Sequence, residues 1–130
     1  MVAVKRSVAA AGPADPNEAW ERYAEIARWP TWAPPIQRVD ASAARLAPGV
    51  TGVVHGLLGL RVNFVVEEVD ELRRTWSWNV RSGPIRMALR HEVLPTADGG
   101  SATTLMVDGP APLVLLYPEV ARIALVRLVS

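Results

Sequence analysis

Histidine is the side chain whose ordinary pKa lies nearest neutrality, and the sequence holds two, His55 and His91. His91 belongs to a run, residues 85–94, in which Ile85, Met87, Leu89, His91 and Val93 alternate with Arg86, Ala88, Arg90 and Glu92. Such alternation marks a half-buried strand, so His91 shares the apolar face and points inward. An imidazole there can serve as a general acid or base toward a bound molecule. The same position suits a histidine hydrogen-bonded into the wall, and the sequence leaves both readings open. Asp108 and Tyr117 stand where the last strand hands over to the final helix and join His91 as candidate catalytic groups. His55 lies 36 positions from His91, and neither has a second ligand at metal-site spacing, so no metal and no cofactor is expected. No glycine-rich phosphate loop and no G-x-S-x-G turn occurs. The absence of cysteine removes thiolate nucleophiles, thiolate metal sites and disulfides together.

Trp76 and Trp78 share the inward parity of Val80 in the run 74–81 and can stack on a flat ligand or simply fill the core. Trp29 and Trp32 fall in the elbow Trp29-Pro30-Thr31-Trp32-Ala33-Pro34-Pro35, where they either gate a cavity mouth or cap the sheet. Arg61 and Asn63 oppose Val62, Phe64 and Val66 in parity and are expected to face solvent. Arg86 is a further polar group near a strand end, and the side taken by His55 is ambiguous.

These residues need elements to hold them. Residues 2–8 read as a first strand running into an Ala/Gly/Pro turn. Asp15-Pro16-Asn17-Glu18 supplies an N-cap carboxylate, a proline at the first helical position and a glutamate three residues after the cap. A helix over residues 16–28 follows, ended by the elbow because a residue before proline is pushed out of the α region. Strands are then predicted over 36–44, 50–56, 60–69, 74–81, 85–94 and 102–108, joined by short turns that imply an antiparallel meander. Residues 113–130 read as a long helix with Pro118 in its first turn. Its wheel buries Val120, Ala121, Ala124, Leu125, Leu128 and Val129, and leaves Ile123 and Val126 on the polar side, where a second subunit can cover them. The expected fold is α+β, a curved antiparallel sheet of about seven strands wrapped around this helix. A strongly curved sheet over one helix leaves a cavity between them.

The 130 residues suit a single domain spanning 1–130. Fourteen basic against thirteen acidic residues give a net charge of +1 with no basic stripe, so nucleic acid is not an expected partner. No segment reaches the roughly 20 apolar residues of a membrane span, and the apolar run before Pro13 is too short for a signal peptide. The expectation is a soluble, cytoplasmic protein.

Four features carry a family resemblance: Glu18-Ala19-Trp20-Glu21 in the capped helix; the elbow Arg28-Trp29-Pro30-Thr31-Trp32-Ala33-Pro34; the turn Pro48-Gly49; and Arg74-Thr75-Trp76-Ser77-Trp78 followed by Arg90-His91-Glu92 and Gly99-Gly100-Ser101. Across essentially the whole chain the sequence resembles the START/Bet v 1-like (SRPBCC) superfamily and, within it, the polyketide cyclase/dehydrase and lipid-transport group. The resemblance implies a helix-grip fold whose cavity holds apolar or aromatic molecules. One departure is that the last helix stops at Ser130, where similar proteins continue for another turn or more, which implies a more open mouth.

The implied function is binding of a hydrophobic or aromatic small molecule between the sheet and the C-terminal helix. Trp32, Phe64, Trp76, Trp78, Met87, Leu89 and Leu105 are the expected lining on the sheet side. Tyr117, Ala121, Leu125 and Leu128 are expected from the helix. Two versions stand side by side: a lipid or metabolite carrier, and a cyclase or aromatase in which His91, Asp108 or Tyr117 assists enolisation or dehydration. A protein-interaction domain, dimerising through Ile123 and Val126, is the third reading.

Overall fold

The computed structural model describes residues 3–130, and side chains over that span except at positions 3, 111–116 and 118. Val2, expected in the first strand, lies outside the described residues. Strand β1 (Ala3–Gly12) is followed by helix α1 (Pro16–Ala24), a 3₁₀ turn (Ile26–Arg28) and the one-turn helix α2 (Trp29–Trp32). Strands β2 (Arg38–Ala41), β3 (Thr51–His55), β4 (Arg61–Asp70), β5 (Thr75–Ser82), β6 (Ile85–Pro95) and β7 (Ser101–Pro110) come next, and helix α3 (Ala111–Leu128) ends the chain. The seven strands form one antiparallel sheet in the order β1-β7-β6-β5-β4-β3-β2, gripping α3 on its inner face as the expected helix-grip α+β fold.

Alternation sorts the side chains by face. Leu89, His91 and Val93 of β6 and Ser101, Thr103, Leu105 and Val107 of β7 are buried, while their alternate neighbours look outward. A bulge after Val66 lets Glu67 and Glu68 both face out and then restores the inward pairing of Val69 with Trp76. β1 is longer than its sequence suggests. Its alanines pair in register with β7 as far as Gly12, because β7 supplies the ladder partners that an Ala-rich run lacks on its own. β2 is the reverse case, four residues in place of nine, held at the edge by β3 alone.

The helices depart most from expectation. Asp15 caps α1 as predicted, its Oδ2 accepting the backbone N–H of Asn17 at 2.9 Å and Glu18 at 3.3 Å. Glu18 pairs with Arg22 and Arg28 and does not close a capping box. The helix stops at Ala24, four residues short of the predicted Arg28, because Glu25 turns extended (φ −87°, ψ 100°) and forms a bridge with Arg45. Trp29 then adopts helical angles directly before Pro30, against the usual pre-proline bias, as the first residue of α2.

What makes this break tolerable is a full set of partners for the last α1 carbonyls, groups that have no acceptor role inside the helix. Glu21 O accepts from Glu25 N at 2.9 Å and Ala24 O from Leu46 N at 2.9 Å. Arg22 O and Tyr23 O accept the indole N–H groups of Trp32 and Trp29, at 2.9 and 2.8 Å. The elbow is thus pinned by its own tryptophans.

α3 begins at Ala111, so Pro118 lies inside it and Pro112 takes the early-turn position. Ala121, Leu125, Leu128 and Val129 are buried, with Ala124 half-buried; Val120, expected among them, is 55% exposed. The seam that contacts β1 and α2 runs along 121, 125 and 128, the i, i+4, i+7 row, which leaves position 120 to one side. Ile123 and Val126 are exposed as expected. The Arg22 guanidinium caps the far end, its Nη1 donating to Leu128 O at 2.6 Å, Ser130 O at 2.9 Å and Arg127 O at 3.4 Å. Among the described residues no helix is long and apolar enough to cross a membrane. Replacing Arg22 with Met keeps the aliphatic stem but removes the cap, and the expected cost is roughly 1–3 kcal/mol in a urea titration, with an unchanged m-value.

Candidate functional site

The grip encloses a small cavity of about 80 Å³ between α2, the centre of the sheet and α3. Its walls are Trp29, Trp32, Ala33 and Ile36 from the elbow, Trp76, Trp78, His91 and Leu105 from the sheet, and Tyr117, Ala121, Ala124 and Leu125 from α3. Seven of the eleven expected lining residues are here: Trp32, Trp76, Trp78, Leu105, Tyr117, Ala121 and Leu125. Phe64 instead packs behind the wall, its ring 5.5 Å from Trp78 and 5.6 Å from Trp29. Leu89 and Leu128 are buried but not at the cavity, and Met87 is half-buried toward the open end of the sheet. Trp29 and Ile36 are wall residues that strand parity could not supply.

Larger hollows lie elsewhere. One of about 570 Å³ runs across β4–β7 and is bordered by Asn63, Asn79, Arg81, Arg86, Met87 and Asp108. Most of these side chains belong to the outer face of the sheet, and the hollow is open to solvent. Enclosure, which strips water from a ligand, belongs to the inner cavity. Asp108 therefore sits on the face opposite His91, paired across the ladder with Lys5 and Ala88. Arg61 and Asn63 are exposed, as expected. His55, the ambiguous one, is on the outer side, with Nε2 2.8 Å from Asp40 Oδ2.

His91 is buried, stacked on Trp76 with centroids 4.6 Å apart and planes 10° from parallel. Its protonation pattern follows from its neighbours. An indole can only donate, so Trp78 Nε1, 3.1 Å away, makes His91 Nε2 the acceptor and places the proton on Nδ1. Nδ1–H then donates to Tyr23 Oη at 3.2 Å, Tyr23 donates to Thr103 Oγ1 at 2.7 Å, and Thr103 donates to Glu92 O at 3.0 Å. The chain runs in one direction and ends on a carbonyl. Burial pushes the His91 pKa down from 6.5 to about 3, so the imidazole is neutral throughout the physiological range. Burial also raises the Tyr23 and Tyr117 hydroxyls, most strongly Tyr23.

The four cavity tryptophans differ in what their N–H groups do. Trp29 and Trp32 are committed to α1 carbonyls and Trp78 to His91. Trp76 Nε1 is buried and has no hydrogen-bond partner among the described residues. Tyr23 and Thr103 are members of the hydrogen-bonded chain behind the wall that sequence reasoning did not single out. Thr103 has the inward parity of Leu105, and Tyr23 lies on the helix face of Trp20, so both signals were there. Among the described residues no cluster of His, Asp and Glu could hold a metal ion.

A seven-stranded sheet closed on a C-terminal helix around an aromatic cavity defines the Bet v 1-like class. The solved structure of Ara h 8.0201 is similar with a TM-score of 0.75 and 14% identity, over 98% of this chain and 95% of that one. A structural-genomics protein from Nitrosospira multiformis is similar with a TM-score of 0.81 and 16% identity, over 97% of this chain and 94% of that one. No curated protein matches the sequence. Residues 1–128 match the family described as polyketide cyclase / dehydrase and lipid transport, and the chain belongs to that family.

The buried histidine sets a pH dependence. The unfolded chain binds its proton near pH 6.5 and the folded chain only near pH 3, so the unfolded state holds more protons in between and stability falls as pH falls through that window. From pH 7 to pH 5 the loss from this group is about 2 kcal/mol. Chemical denaturation at the two pH values is expected to show this drop, and His91→Phe to be less pH-dependent by about that amount.

Proposed function

We propose that this protein binds an apolar or aromatic small molecule carrying a hydrogen-bond acceptor, in the cavity between the sheet and α3. The observation that carries this reading is the buried Trp76 N–H, which has no partner among the described residues, in a wall otherwise made of aromatic and aliphatic surface. A buried donor without a partner costs about 1–3 kcal/mol, which an acceptor oxygen on a ligand recovers. The remaining wall offers stacking area from Trp29, Trp32, Trp76 and Trp78, in keeping with pockets that are mostly apolar with a few placed polar groups.

The cavity's volume bears on how such a molecule enters. At about 80 Å³ it has room for a few waters or a very small solute, whereas pockets for drug-sized ligands run to roughly 300–1,000 Å³. Uptake of a larger molecule therefore moves a wall. Trp29, Trp32 and Trp78 are held by hydrogen bonds to α1 carbonyls and His91, so the movement falls to α3, which meets the cavity through Ala121, Ala124 and Leu125 and is held at its far end by Arg22.

Carrier and cyclase versions differ at His91. A general base needs an available lone pair and a pKa near the working pH. Here the Nε2 lone pair holds Trp78 and the pKa is about 3, which supports binding over catalysis. A cyclase would have to rotate Trp78 away on substrate binding. Asp108 lies on the outer face, opposite Ala88 and away from this cavity.

Native mass spectrometry of the gently purified protein, alone and mixed with polycyclic aromatic ketones, fatty acids and polar controls, tests the proposal. Selective uptake of an acceptor-bearing apolar class is expected, and Trp76→Phe should weaken it about tenfold while leaving uptake of pure hydrocarbons unchanged. Absence of any apolar adduct would mean that the tryptophan-lined interior is closed core.

A further inference from the structure

The end of the sheet where β2 and β4 begin and β3 and β5 end carries an unusual surface. The β3–β4 connection, a 3₁₀ turn over Leu57–Gly59, exposes Leu57 by 56%, Leu58 by 105% and Leu60 by 53%. Leu58 also sits in the left-handed region, φ 57° and ψ 31°, where a leucine is strained and Asn or Gly is at ease. Neither packing nor backbone preference explains three leucines on this tip. Beside it, Pro34 and Pro35 of the elbow are exposed, and the β5–β6 turn adds exposed Pro84 and Ile85.

Directly behind these apolar tips the register builds a basic border. Arg38 pairs with His55, His55 with Arg61, Asn63 with Arg81 and Arg81 with Arg86, so the four arginines stand on the outer face of adjacent strands at this one end. All four are exposed. The carboxylate in these rows is Asp40, already shared by His55 and Arg38; Asp108 lies a row further in, opposite Ala88. Exposed leucines at a tip with an arginine border one strand row behind match the layered chemistry of a membrane surface, apolar below the headgroups and anionic at them.

We infer that this end of the molecule docks on an anionic lipid bilayer, with Leu57, Leu58 and Leu60 entering the headgroup and acyl boundary and Arg38, Arg61, Arg81 and Arg86 meeting lipid phosphates. The occupant is a bilayer and not an acidic protein groove because the leucines lie on a protruding tip, which inserts into a fluid layer without a preformed pocket. The surface also adjoins the cavity: Gly56 sits against Leu60 and Pro35, and the next residue, Ile36, is a cavity wall. Docking does not depend on what the cavity holds.

The test is co-sedimentation of the full chain with large unilamellar vesicles of phosphatidylcholine alone and of phosphatidylcholine with phosphatidylserine, over a range of NaCl concentrations. Binding to the anionic vesicles, weakened by salt, is expected. Leu58→Asn suits the left-handed backbone and so keeps the loop, and it should weaken partitioning about tenfold. Arg61→Gln and Arg86→Gln should each weaken it roughly fivefold. An unchanged melting temperature in Leu58→Asn shows that any loss comes from the surface. Equal partitioning onto neutral and anionic vesicles, no partitioning at all, or binding that ignores Leu58→Asn would each overturn the inference, as would burial of Leu58 in a dimer that light scattering shows Leu58→Asn to dissolve.

Discussion

The carbonyl groups at the end of α1 are the constraint on which the rest of the molecule turns. When the chain leaves the helix at Glu25, Arg22 O and Tyr23 O lose the partners that another turn would have supplied, and each would cost about 1–3 kcal/mol if left buried and unpaired. Two indoles answer them. Because the donors belong to Trp32 and Trp29, satisfying the helix end also fixes the orientation of both rings, and these rings are a wall of the cavity. The side chain of Arg22 then reaches the C-terminal carbonyls of α3. One helix end thereby sets the elbow, the aromatic wall and the seat of the C-terminal helix.

Tyr23 extends the same logic into the sheet. Its ring is fully buried with edges toward Trp32, Trp76 and His91, and its hydroxyl links His91 to Thr103. Every polar atom along that chain has a partner, so a histidine, a tyrosine and a threonine can lie in a low-dielectric interior without the penalty of unmade bonds. The same completeness engages both nitrogens of His91, and burial pushes its pKa down to about 3. An imidazole with both nitrogens engaged and no nearby carboxylate to stabilise its charge is a rigid, neutral part of the wall.

Much of this was legible in the sequence where a single periodicity governs. Residues 74–81 and 85–94 alternate strictly, and the structure keeps both strands and the inward side of Trp76, Trp78 and His91. Asp15 announced the start of α1 for the same local reason. The end of α1 was not legible, since no glycine or proline stands near Glu25 and the break is stabilised by Ala44, Leu46 and the two indoles, all non-local. Val120 was misjudged because an almost wholly apolar helix gives a wheel with little contrast, and packing on β1 and α2 chose the row through Ala121. Parity placed His91 inside; only the fold could supply Trp78 and Tyr23 as the partners that decide its state.

Two local rules are broken without any gain to the folded chain. Trp76 keeps a buried indole N–H with no partner among the described residues, although its three neighbouring tryptophans all have acceptors. Leu58 holds a strained backbone with its side chain wholly in solvent, where asparagine or glycine would relieve both costs. Among the described residues the other buried ring nitrogens are paired, and Arg74, at φ 54°, is the other non-glycine residue in the left-handed region. Trp76 belongs to the cavity wall, and Gly56, which precedes the Leu57–Gly59 turn, sits against Leu60 and Pro35, the residue before Ile36 of that same wall. On the two readings proposed above, an acceptor on a ligand would satisfy the indole N–H inside and a bilayer would cover the apolar tip outside, so each cost has its own partner.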